Sequence, residues 1–356
     1  MNNSDTLPKQ IQARIAHQKK PTVPRPLKIG MVGAGNITRM HLRGYAWAGL
    51  EVAAITDLNP EAARSRAEEF GIPSVVPSLD ALLDDPAVEL VDVTFPGNAR
   101  LEAVRKIAAA GKPILVQKPL ADDLEVAREM VATCEGEGVP LAVNMNARFN
   151  PNYRTVRNIA QAGLLGELYH AVHYLKSNHD GMPHHAKWLT EPMRYQVLQY
   201  GVHHVDQVCS WFGRQPRRVT AVNVRKPGQQ FRGEMLATVA FDFGETAGAT
   251  LLELNALPQC RPFETDFELT GTSGSLVGSI MGELQLYHEA LPEGEPLVLK
   301  PEGSWFPNAF GEVMARYQIA LGEGGEPDAT GRDHLAILEA IEAAYQSMEE
   351  GRSIAL

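Results

Sequence analysis

The sequence predicts an α/β protein in which a doubly wound parallel sheet is followed by an α+β domain with a large, mostly antiparallel, open-faced sheet. Two observations predict the first part: apolar runs alternate with helical patterns from residue 27 onward, and a glycine turn follows the first run. A third predicts the second part, since strand-like runs separated by turn residues follow after about residue 146. Strands alternating with helices are typical of parallel sheets, whereas short glycine-containing turns join antiparallel hairpins.

Each element of the first part has a local signal. Leu27–Val32 is a short apolar strand, and a helical pattern follows over Asn36–Ala48. A second strand, Val52–Thr56, precedes a helix that begins at Asn59-Pro60, because asparagine is a favoured N-cap and proline a favoured first helical residue. Further strands are predicted at 90–93, 114–116 and 141–143, with helices between them at 101–110 and 124–135.

The second part begins with helices predicted at 151–162 and 202–211, and strand-like runs follow at 219–224, 236–243, 248–255, 263–270 and 284–288. The turns Phe243-Gly244-Glu245 and Gly271-Thr272-Ser273-Gly274 suit antiparallel hairpins. A final amphipathic helix is predicted over 332–350 from apolar residues at helical spacing. One face of such a sheet often stays uncovered, so we expect a homodimer or homotetramer.

Composition bounds the function. The chain has 356 residues with 44% hydrophobic side chains, which is typical of a globular protein of two domains. A net charge of -10 argues against nucleic acid as a partner, since that would require a basic face. No apolar run approaches the roughly 20 residues that span a bilayer, so no membrane partner is expected. The 3 cysteines share no CxxC spacing, which predicts a reducing, cytoplasmic location.

Three segments are predicted along the chain. Residues 1–26 are basic and rich in proline and lack the apolar core of a secretory signal, so we expect a flexible tail or an arm. Residues 27–146 are predicted to bind a dinucleotide. Residues 147–356 are predicted to bind the substrate and to carry the oligomer interface.

The glycine turn predicts the cofactor site. Gly33 allows a tight turn, and Gly35 lets the backbone amides of Asn36 and Ile37 approach a pyrophosphate at the start of a helix. Asp57 ends the next strand, where the dinucleotide fingerprint places an acid on the adenosine ribose; the alternative is a helix-capping acid. Because such an acid repels a 2′-phosphate, NAD is favoured over NADP.

Two further strand ends point to the same edge of the sheet. Ile114–Val116 reads as a buried strand that ends in Gln117, Lys118 and a proline, and Asn98 follows the strand before it. Ligands of open parallel sheets bind beyond the carboxyl ends of the strands. Lys118 is therefore a candidate for facing a substrate beside the cofactor, although a solvated surface lysine is the alternative, and Gln117 and Asn98 are candidate cofactor contacts.

These residues together resemble the Gfo/Idh/MocA oxidoreductases, relatives of glucose–fructose oxidoreductase and inositol 2-dehydrogenase. The resemblance covers nearly all of residues 27–356 and rests on motifs in a fixed order: the glycine turn, Asp57, Gly111-Lys112 to Pro119, Arg148-Phe149-Asn150-Pro151, Gly166-Glu167-Leu168, Gly201 to Asp206, and Gly271 to Leu276. It implies an N-terminal Rossmann domain, a second α/β domain with an open sheet, a nicotinamide cofactor, and sugars, polyols or their derivatives as substrates.

The resemblance also assigns roles to residues. The family's strand-end lysine corresponds to Lys118 and the histidine of its second motif to His203, while Gln117 and Gln199 stand where the family usually has carboxylates. We hypothesise that His203 is the acid/base, that Lys118 bonds the same substrate oxygen, and that Gln199 positions a substrate hydroxyl. Asp206 is expected to be structural.

Other side chains are predicted around the substrate. An aromatic and polar loop from His179 to Trp188, together with Tyr195, suits a sugar face and its hydroxyls. Arg148 is expected to bond substrate or phosphate, or else to tie the two domains together. Arg100, where the family often has histidine, suggests altered contacts near the nicotinamide pocket and would be compatible with an anionic substrate. No metal site is predicted, because the histidine spacing matches no zinc signature.

Three functions follow from these observations. The first is an NAD-dependent dehydrogenase that acts on a secondary hydroxyl of a sugar, a cyclitol or a sugar derivative. The second is a glycosidase or lyase that oxidises a sugar carbon transiently with bound NAD. The third is a non-catalytic, cofactor-binding regulator, against which the presence of both Lys118 and His203 counts.

Overall fold

The computed structural model describes residues 3–180, 190–258 and 263–356. Elements up to residue 149 are, in chain order, α1 (Asn3–Gln12), β1 (Ile29–Val32), α2 (Asn36–Ala48), β2 (Val52–Thr56), α3 (Pro60–Phe70), β3 (Ser74–Val75), α4 (Leu79–Leu83), β4 (Leu90–Val93), α5 (Leu101–Ala109), β5 (Ile114–Gln117), α6 (Leu124–Gly136) and β6 (Leu141–Asn144). Short 3₁₀-helices lie at Gly97–Ala99 and Asn146–Phe149.

The remaining elements are α7 (Pro151–Gln161), β7 (Leu168–Lys176), α8 (Gly201–Phe212), β8 (Arg218–Val224), β9 (Leu236–Gly244), β10 (Ala247–Leu254), β11 (Glu264–Gly271), β12 (Gly274–Ser279), β13 (Leu284–His288), β14 (Leu297–Leu299), α9 (Asn308–Glu323), α10 (Gly331–Glu350) and β15 (Ile354–Ala355). A π-helix, Gln196–Tyr200, leads directly into α8. Among the described residues, no helix is long and apolar enough to cross a membrane.

The chain divides into two compact units. The parallel-sheet unit consists of Gln18–Phe149 and Gly303–Leu335, and the antiparallel-sheet unit of Met1–His17, Asn150–Glu302 and Ala336–Leu356. The domain boundaries predicted from the sequence run continuously along the chain, whereas these units are assembled from separate segments.

The parallel-sheet unit contains six parallel strands in the order β3-β2-β1-β4-β5-β6, which confirms the predicted doubly wound sheet. The register pairs Val32 with both Thr56 and Val93, and Val93 with Val116. The carboxyl ends of β1, β2, β4 and β5 therefore lie side by side. The residues that follow these strands line one edge of the sheet, where open parallel sheets bind ligands.

Helix α9 comes from the far end of the chain but packs in the parallel-sheet unit against α2. The two helices approach closely at a pair of glycines: a Cβ on Gly44 would lie 2.5 Å from the backbone nitrogen of Gly311. Ala309, Val313 and Met314 of α9 are buried in the same core as Ile29 and Met31 of β1.

The antiparallel-sheet unit contains a nine-stranded sheet in the order β14-β13-β12-β11-β7-β10-β9-β8-β15, in which only β7 and β10 pair in parallel. Both predicted hairpins are present, since β9 pairs with β10 and β11 with β12 in antiparallel register. Helices α7 and α8 pack on each other, and α8 packs on β7 and β10. Val222 and Val224 of β8 are 61% and 60% exposed, so this strand carries an open apolar face.

The segment predicted as a flexible tail or arm contains α1, whose Leu7 and Ile11 are buried. It belongs to the antiparallel-sheet unit, where the backbone nitrogen of Ala16 donates to Thr155 Oγ1 at 2.8 Å and Asn158 Nδ2 donates to the Arg14 carbonyl at 3.1 Å. The apolar residues Leu7 and Ile11 lie one helical turn apart, which explains why this short segment folds as a helix and buries one side.

Candidate active site

The glycine turn has the geometry of a pyrophosphate site. Gly33 has φ +107°, and a Cβ there would lie 2.8 Å from Thr94 Oγ1, so the turn requires glycine. Gly35 is the N-cap of α2 and caps it without a side chain, and a Cβ at Gly35 would meet no atom within 4 Å. The first backbone amides of α2, including those of Asn36 and Ile37, therefore border open space at the positive end of a helix. These residues fit the diphosphate of NAD.

Asp57 holds the glycine turn in place. Its Oδ2 accepts from the backbone nitrogen of Ala34 at 2.7 Å, and its Oδ1 accepts from that of Asn59 at 2.7 Å. The carboxylate thus caps a turn, as the alternative interpretation required, and also lies beside the cofactor turn. Each carboxylate oxygen has a second acceptor site, so the ribose role of Asp57 stays a prediction.

Thr38 stands at the third small position of the fingerprint and is fully buried. Its hydroxyl lies 2.7 Å from Thr94 Oγ1, which in turn donates to the Val32 carbonyl at 3.1 Å. A threonine at this position therefore links α2 to the ends of β1 and β4 by hydrogen bonds, where a glycine or alanine would make only packing contacts.

Lys118 lies directly after β5, at the same edge of the sheet as the glycine turn. Its side chain is partly buried, and its pKa is lowered to about 8, first by desolvation and then by repulsion from Arg100. His334, at the start of α10, is also buried in this unit, and its pKa is lowered to about 3 by burial and by the charges of Arg148, Arg100 and Lys118. Burial and the three positive charges together keep the His334 imidazole uncharged at neutral pH.

Arg100 is buried beneath this strand end and not directed at a substrate. Its Nε donates to the Phe95 carbonyl at 2.7 Å, and its Nη1 donates to the carbonyls of Gln117, Pro119 and Leu120. Only 2% of the residue is exposed. The suggested contact with an anionic substrate is therefore wrong, because backbone carbonyls already occupy the guanidinium.

Gln117 was predicted to contact the cofactor, but its side chain points into the parallel-sheet unit. Its Oε1 accepts from the backbone nitrogen of Lys118 at 2.7 Å, and its Nε2 lies 3.2 Å from His41 Nε2. With 5% of the residue exposed, we revise its role to that of a support for Lys118. Asn98 lies in the 3₁₀-helix that follows β4, and its cofactor contact stays a prediction.

His203 and Gln199 lie on either side of a junction between two kinds of helix. Gln199 belongs to the π-helix, and His203 belongs to the first turn of α8. His203 is 8% exposed. The buried carboxylate of Glu234 accepts from the backbone nitrogens of Tyr195 and Val197 at 3.0 and 3.1 Å, which anchors the π-helix at its start. π-Turns inside helices occur frequently at functional sites.

His204, the neighbour of His203, faces the interior. Its Nδ1 lies 2.6 Å from Glu253 Oε1, while Glu253 Oε2 accepts from Gln196 Nε2 at 2.7 Å. These contacts tie α8 and the π-helix to the same buried carboxylate on β10. Asp206 is buried in α8, as expected for a structural residue.

His173, His204 and Glu253 place three potential metal-ligand atoms within 4.8 Å of one another. The two imidazole rings are stacked, with centroids 4.1 Å apart and planes inclined by 26°. An imidazole lone pair lies in the plane of its ring, and two stacked rings lie in separate, nearly parallel planes, so one ion cannot lie in both planes. Burial lowers the pKa of His173, and its Nε2 lies 2.7 Å from the Tyr153 hydroxyl, so the trio is better described as a hydrogen-bonded support behind α8.

Tyr195 was predicted to bind substrate, but it is 1% exposed and belongs to a small apolar core with Phe231 and Met235. This prediction is wrong for direct contact. The Tyr195 hydroxyl lies 3.2 Å from His179 Nε2, whose Nδ1 lies 2.9 Å from the Tyr200 hydroxyl. Tyr195 therefore positions other aromatic residues.

The remaining predicted substrate residues are placed as follows. Trp188 lies outside the described residues. The Arg148 guanidinium donates to the Asp328 carbonyl within the parallel-sheet unit, and its substrate contact stays a prediction. The sequence analysis missed Glu253, although its burial was predictable. Glu253 lies two residues after Leu251 on β10, and alternate residues of a strand face the same side, so both side chains point inward.

Comparison with known proteins identifies the chain. The family model described as "Oxidoreductase family, NAD-binding Rossmann fold" matches residues 27–145, and the "GFO/IDH/MocA C-terminal domain" matches residues 153–277. A 1,5-anhydro-D-fructose reductase of Ensifer adhaerens is 30% identical over 91% of this chain and 97% of the relative. The chain belongs to the Gfo/Idh/MocA oxidoreductase family. The predicted family is confirmed, and with it an NAD-binding Rossmann fold in the N-terminal part.

Two more proteins show the extent of the similarity. A D-apiose dehydrogenase of Paraburkholderia graminis is 29% identical, with 94% of this chain and 91% of that protein aligned. An oxidoreductase of Agrobacterium radiobacter, solved in complex with NAD+, L-tartaric acid and magnesium, superimposes with a TM-score of 0.85 at 25% identity, covering 93% of this chain and 98% of that one. The similarity spans both units, so the whole architecture is that of the family.

Proposed function

We propose that the protein is an NAD-dependent dehydrogenase that transfers a hydride between nicotinamide and a secondary hydroxyl of a sugar, cyclitol or sugar derivative. The observation that carries this proposal is one edge of the parallel sheet. The open space at Gly35 follows β1, the partly desolvated Lys118 follows β5, and only β4 lies between these two strands. The relatives named for apiose, inositol and 1,5-anhydro-D-fructose support polyhydroxylated substrates.

Residues of the parallel-sheet unit bind the cofactor in this proposal. The backbone amides of Gly35, Asn36 and Ile37 donate to the diphosphate. Gly33 shapes the turn around the diphosphate, since its own amide donates to the Thr56 carbonyl at 2.8 Å. Asp57 accepts from the adenosine ribose, which favours NAD over NADP. NAD supplies the hydride acceptor when it is bound.

Two side chains handle the proton of the substrate hydroxyl. His203 accepts this proton at an imidazole nitrogen during oxidation and returns it during reduction. The Lys118 ammonium donates a hydrogen bond to the same oxygen and stabilises the negative charge that develops there. Gln199 orients a neighbouring hydroxyl through its amide, which can donate and accept but cannot titrate.

Kinetics of single variants test these roles. A panel of aldoses, cyclitols and anhydrosugars is screened with NAD and NADP by absorbance of the reduced nicotinamide. With the best substrate, Lys118→Ala and His203→Asn are expected to lower kcat by about 100-fold or more. The matched controls are Lys300→Ala and His170→Asn, which change an exposed lysine and an exposed histidine and should leave kcat unchanged.

Cofactor affinity, measured by nicotinamide fluorescence, is expected to stay within a few-fold in the His203 variant. Near wild-type turnover in both active-site variants would refute the assignment. Release of an aglycone without accumulation of NADH would instead indicate the glycoside-cleaving alternative.

We also propose a cytoplasmic homodimer or homotetramer. The exposed valines of β8 support this proposal, since a contiguous apolar face on a sheet is a common subunit interface. Light scattering coupled to gel filtration tests it: Val222→Asp with Val224→Asp is expected to lower the molar mass, and a monomeric wild type would contradict it.

A further inference from the structure

Arg100 donates hydrogen bonds to the backbone on both sides of Lys118. Nη1 donates to the Gln117 carbonyl, which precedes Lys118, and to the Pro119 carbonyl, which follows it; the Leu120 carbonyl accepts at 3.3 Å. Nε anchors the other side of the guanidinium to the Phe95 carbonyl, just after β4. One planar side chain thus connects the ends of β4 and β5 and fixes the turn that carries Lys118.

These hydrogen bonds place the positive charge of Arg100 next to the turn that carries Lys118. The carbonyls that flank Lys118 in sequence point at Arg100, so they are committed to the guanidinium. Among the described residues, Arg100 donates its hydrogen bonds to backbone carbonyls and none to a carboxylate, so no direct ion pair neutralises its charge. Asp92 and Asp122 act on it only through space, and its pKa of about 10 keeps it cationic at neutral pH.

Two further groups of this unit act in the same region. The positive charges of Arg148, Arg100 and Lys118 add to burial in lowering the pKa of His334 on α10, so His334 is neutral at pH 7 and Arg148, from the 3₁₀-helix after β6, is a second fixed cation. Lys118 is therefore an amine held in a cationic environment, which favours the form without a proton.

We propose that Arg100 is the positioning residue for Lys118: it holds the turn by the carbonyls that flank the lysine and places a fixed positive charge next to that turn. The role of Arg100 toward the reaction rests on the proposed function of Lys118, whereas its effect on the lysine itself does not.

Competitive labelling measures this effect without catalysis. The full-length protein, with and without added NAD, is treated with trace acetic anhydride between pH 6 and 11, and acetylation of Lys118 is quantified by peptide mass spectrometry. Half-maximal labelling of Lys118 is expected near pH 8, whereas exposed Lys300 labels at higher pH. A wild-type Lys118 that labels like Lys300 overturns the proposal with no variant required.

Two variants separate position from charge. Arg100→Met removes both the bonds and the charge and should move Lys118 labelling upward by up to about one pH unit, since desolvation remains. Arg100→Lys keeps a positive charge but loses the planar guanidinium that bonds several carbonyls at once. Half-maximal labelling of Lys118 should therefore stay closer to the wild-type pH. We expect kcat to fall at least tenfold and the pH dependence of kcat to broaden or shift. Arg105→Met, an exposed arginine on α5, is the control and should change neither readout.

Two outcomes separate the role of Arg100 from the proposed function of the protein. Unchanged labelling of Lys118 in a folded Arg100→Met variant, judged by its circular dichroism and thermal midpoint, refutes the role of Arg100 even if the enzyme oxidises sugars. Labelling that shifts as expected, in a protein without any sugar dehydrogenase activity, supports the role of Arg100 and refutes the proposed function.

Discussion

The side-chain amide of Gln117 lies 3.2 Å from His41 Nε2, and both groups are buried. Asn144 Nδ2 lies 2.8 Å from the same nitrogen, while His41 Nδ1 lies 2.7 Å from Asp92 Oδ2. Two amide donors on Nε2 and a carboxylate on Nδ1 assign the imidazole proton to Nδ1. An amide at position 117 therefore donates to a ring nitrogen that accepts, and a carboxylate there would face a lone pair.

Gln117→Glu should make stability depend on pH. The variant needs a proton on its new carboxyl group to restore the hydrogen bond to His41 Nε2 in the folded state. A group that holds its proton more tightly when folded stabilises at low pH and loses that contribution as pH rises. We expect a loss of about 2–3 kcal/mol at pH 8 and a smaller loss at pH 6, measured by thermal unfolding. Gln285→Glu on exposed β13 is the control; an equal loss at both pH values would contradict this prediction.

The two glycines of the turn should respond oppositely to alanine. Gly33→Ala puts a Cβ against Thr94 at a positive φ, so the free energy of unfolding should fall by about 1–3 kcal/mol. Gly35→Ala meets no protein atom and should cost less than about 1 kcal/mol. Its methyl group would enter the proposed diphosphate space, so the Kd for NAD should rise about tenfold or more. Calorimetric titration with NAD measures this Kd. An unchanged affinity in a stable Gly35→Ala variant would show that the diphosphate does not bind at Gly35.

Asp57→Asn tests the proposed preference for NAD. The amide keeps one acceptor for the backbone nitrogen of Ala34 or Asn59 but removes the negative charge. We expect kcat/KM with NAD to fall about tenfold and the ratio of NADP to NAD turnover to rise, since the charge no longer repels a 2′-phosphate. A cofactor ratio equal to that of the wild type would show that Asp57 only caps its turn.

Lys118→Met should stabilise the fold at neutral pH. The pKa of Lys118 is about 8 in the folded protein against 10.5 for the ordinary side chain. At pH 7 the folded state therefore holds a charge at a cost, and its removal should add about 2 kcal/mol after allowance for partial solvent exposure. Between pH 8 and 10.5 the unfolded chain binds more protons, so the wild type gains stability and the difference should shrink. Thermal midpoints at pH 7 and pH 10 measure this, and Lys300→Met is the control.

Ile11→Ala tests whether the amino-terminal helix contributes to stability. Ile11 is fully buried, so removal of its side-chain carbons should lower the free energy of unfolding by about 2–4 kcal/mol. Gln12→Ala, at the neighbouring exposed position, should change it by less than about 0.5 kcal/mol. A thermal midpoint unchanged in both variants would show that the segment is a loosely attached tail.

Much of the fold could be read from local pattern. Strands β1, β2, β4, β5 and β6 are continuous apolar runs between helices, and Asn59 caps α3 as predicted, accepting from the backbone nitrogens of Glu61 and Ala62. Strand β7 was missed because His170, Tyr174 and the buried His173 interrupt its apolar alternation. The inward-facing His173 lies within hydrogen-bond distance of the Tyr153 hydroxyl, which belongs to helix α7, and the sequence of β7 alone does not reveal this partner.

The site was predictable in its strand-end positions but not in its side-chain directions. Position along the chain places Gln117, Lys118 and Arg100 at one edge of the sheet. Which of them points outward depends on bonds between distant segments, such as Arg100 to the Pro119 carbonyl or Gln117 to His41. A long side chain can bury its charge against backbone carbonyls as readily as it can face a ligand, and residue type alone does not distinguish the two.

The contact between Gly44 and Gly311 bears on how the protein is made. Because α9 completes the core around β1 and α2, the ribosome must synthesise more than three hundred residues before the nucleotide-binding half can close. Until then the apolar surface of α2 that later meets α9 lacks its partner, and emerging chains are exposed to chaperones or to one another. A fragment that stops at residue 149 would lack α9 permanently, so the parallel-sheet unit can complete its core only in a chain that extends through α9.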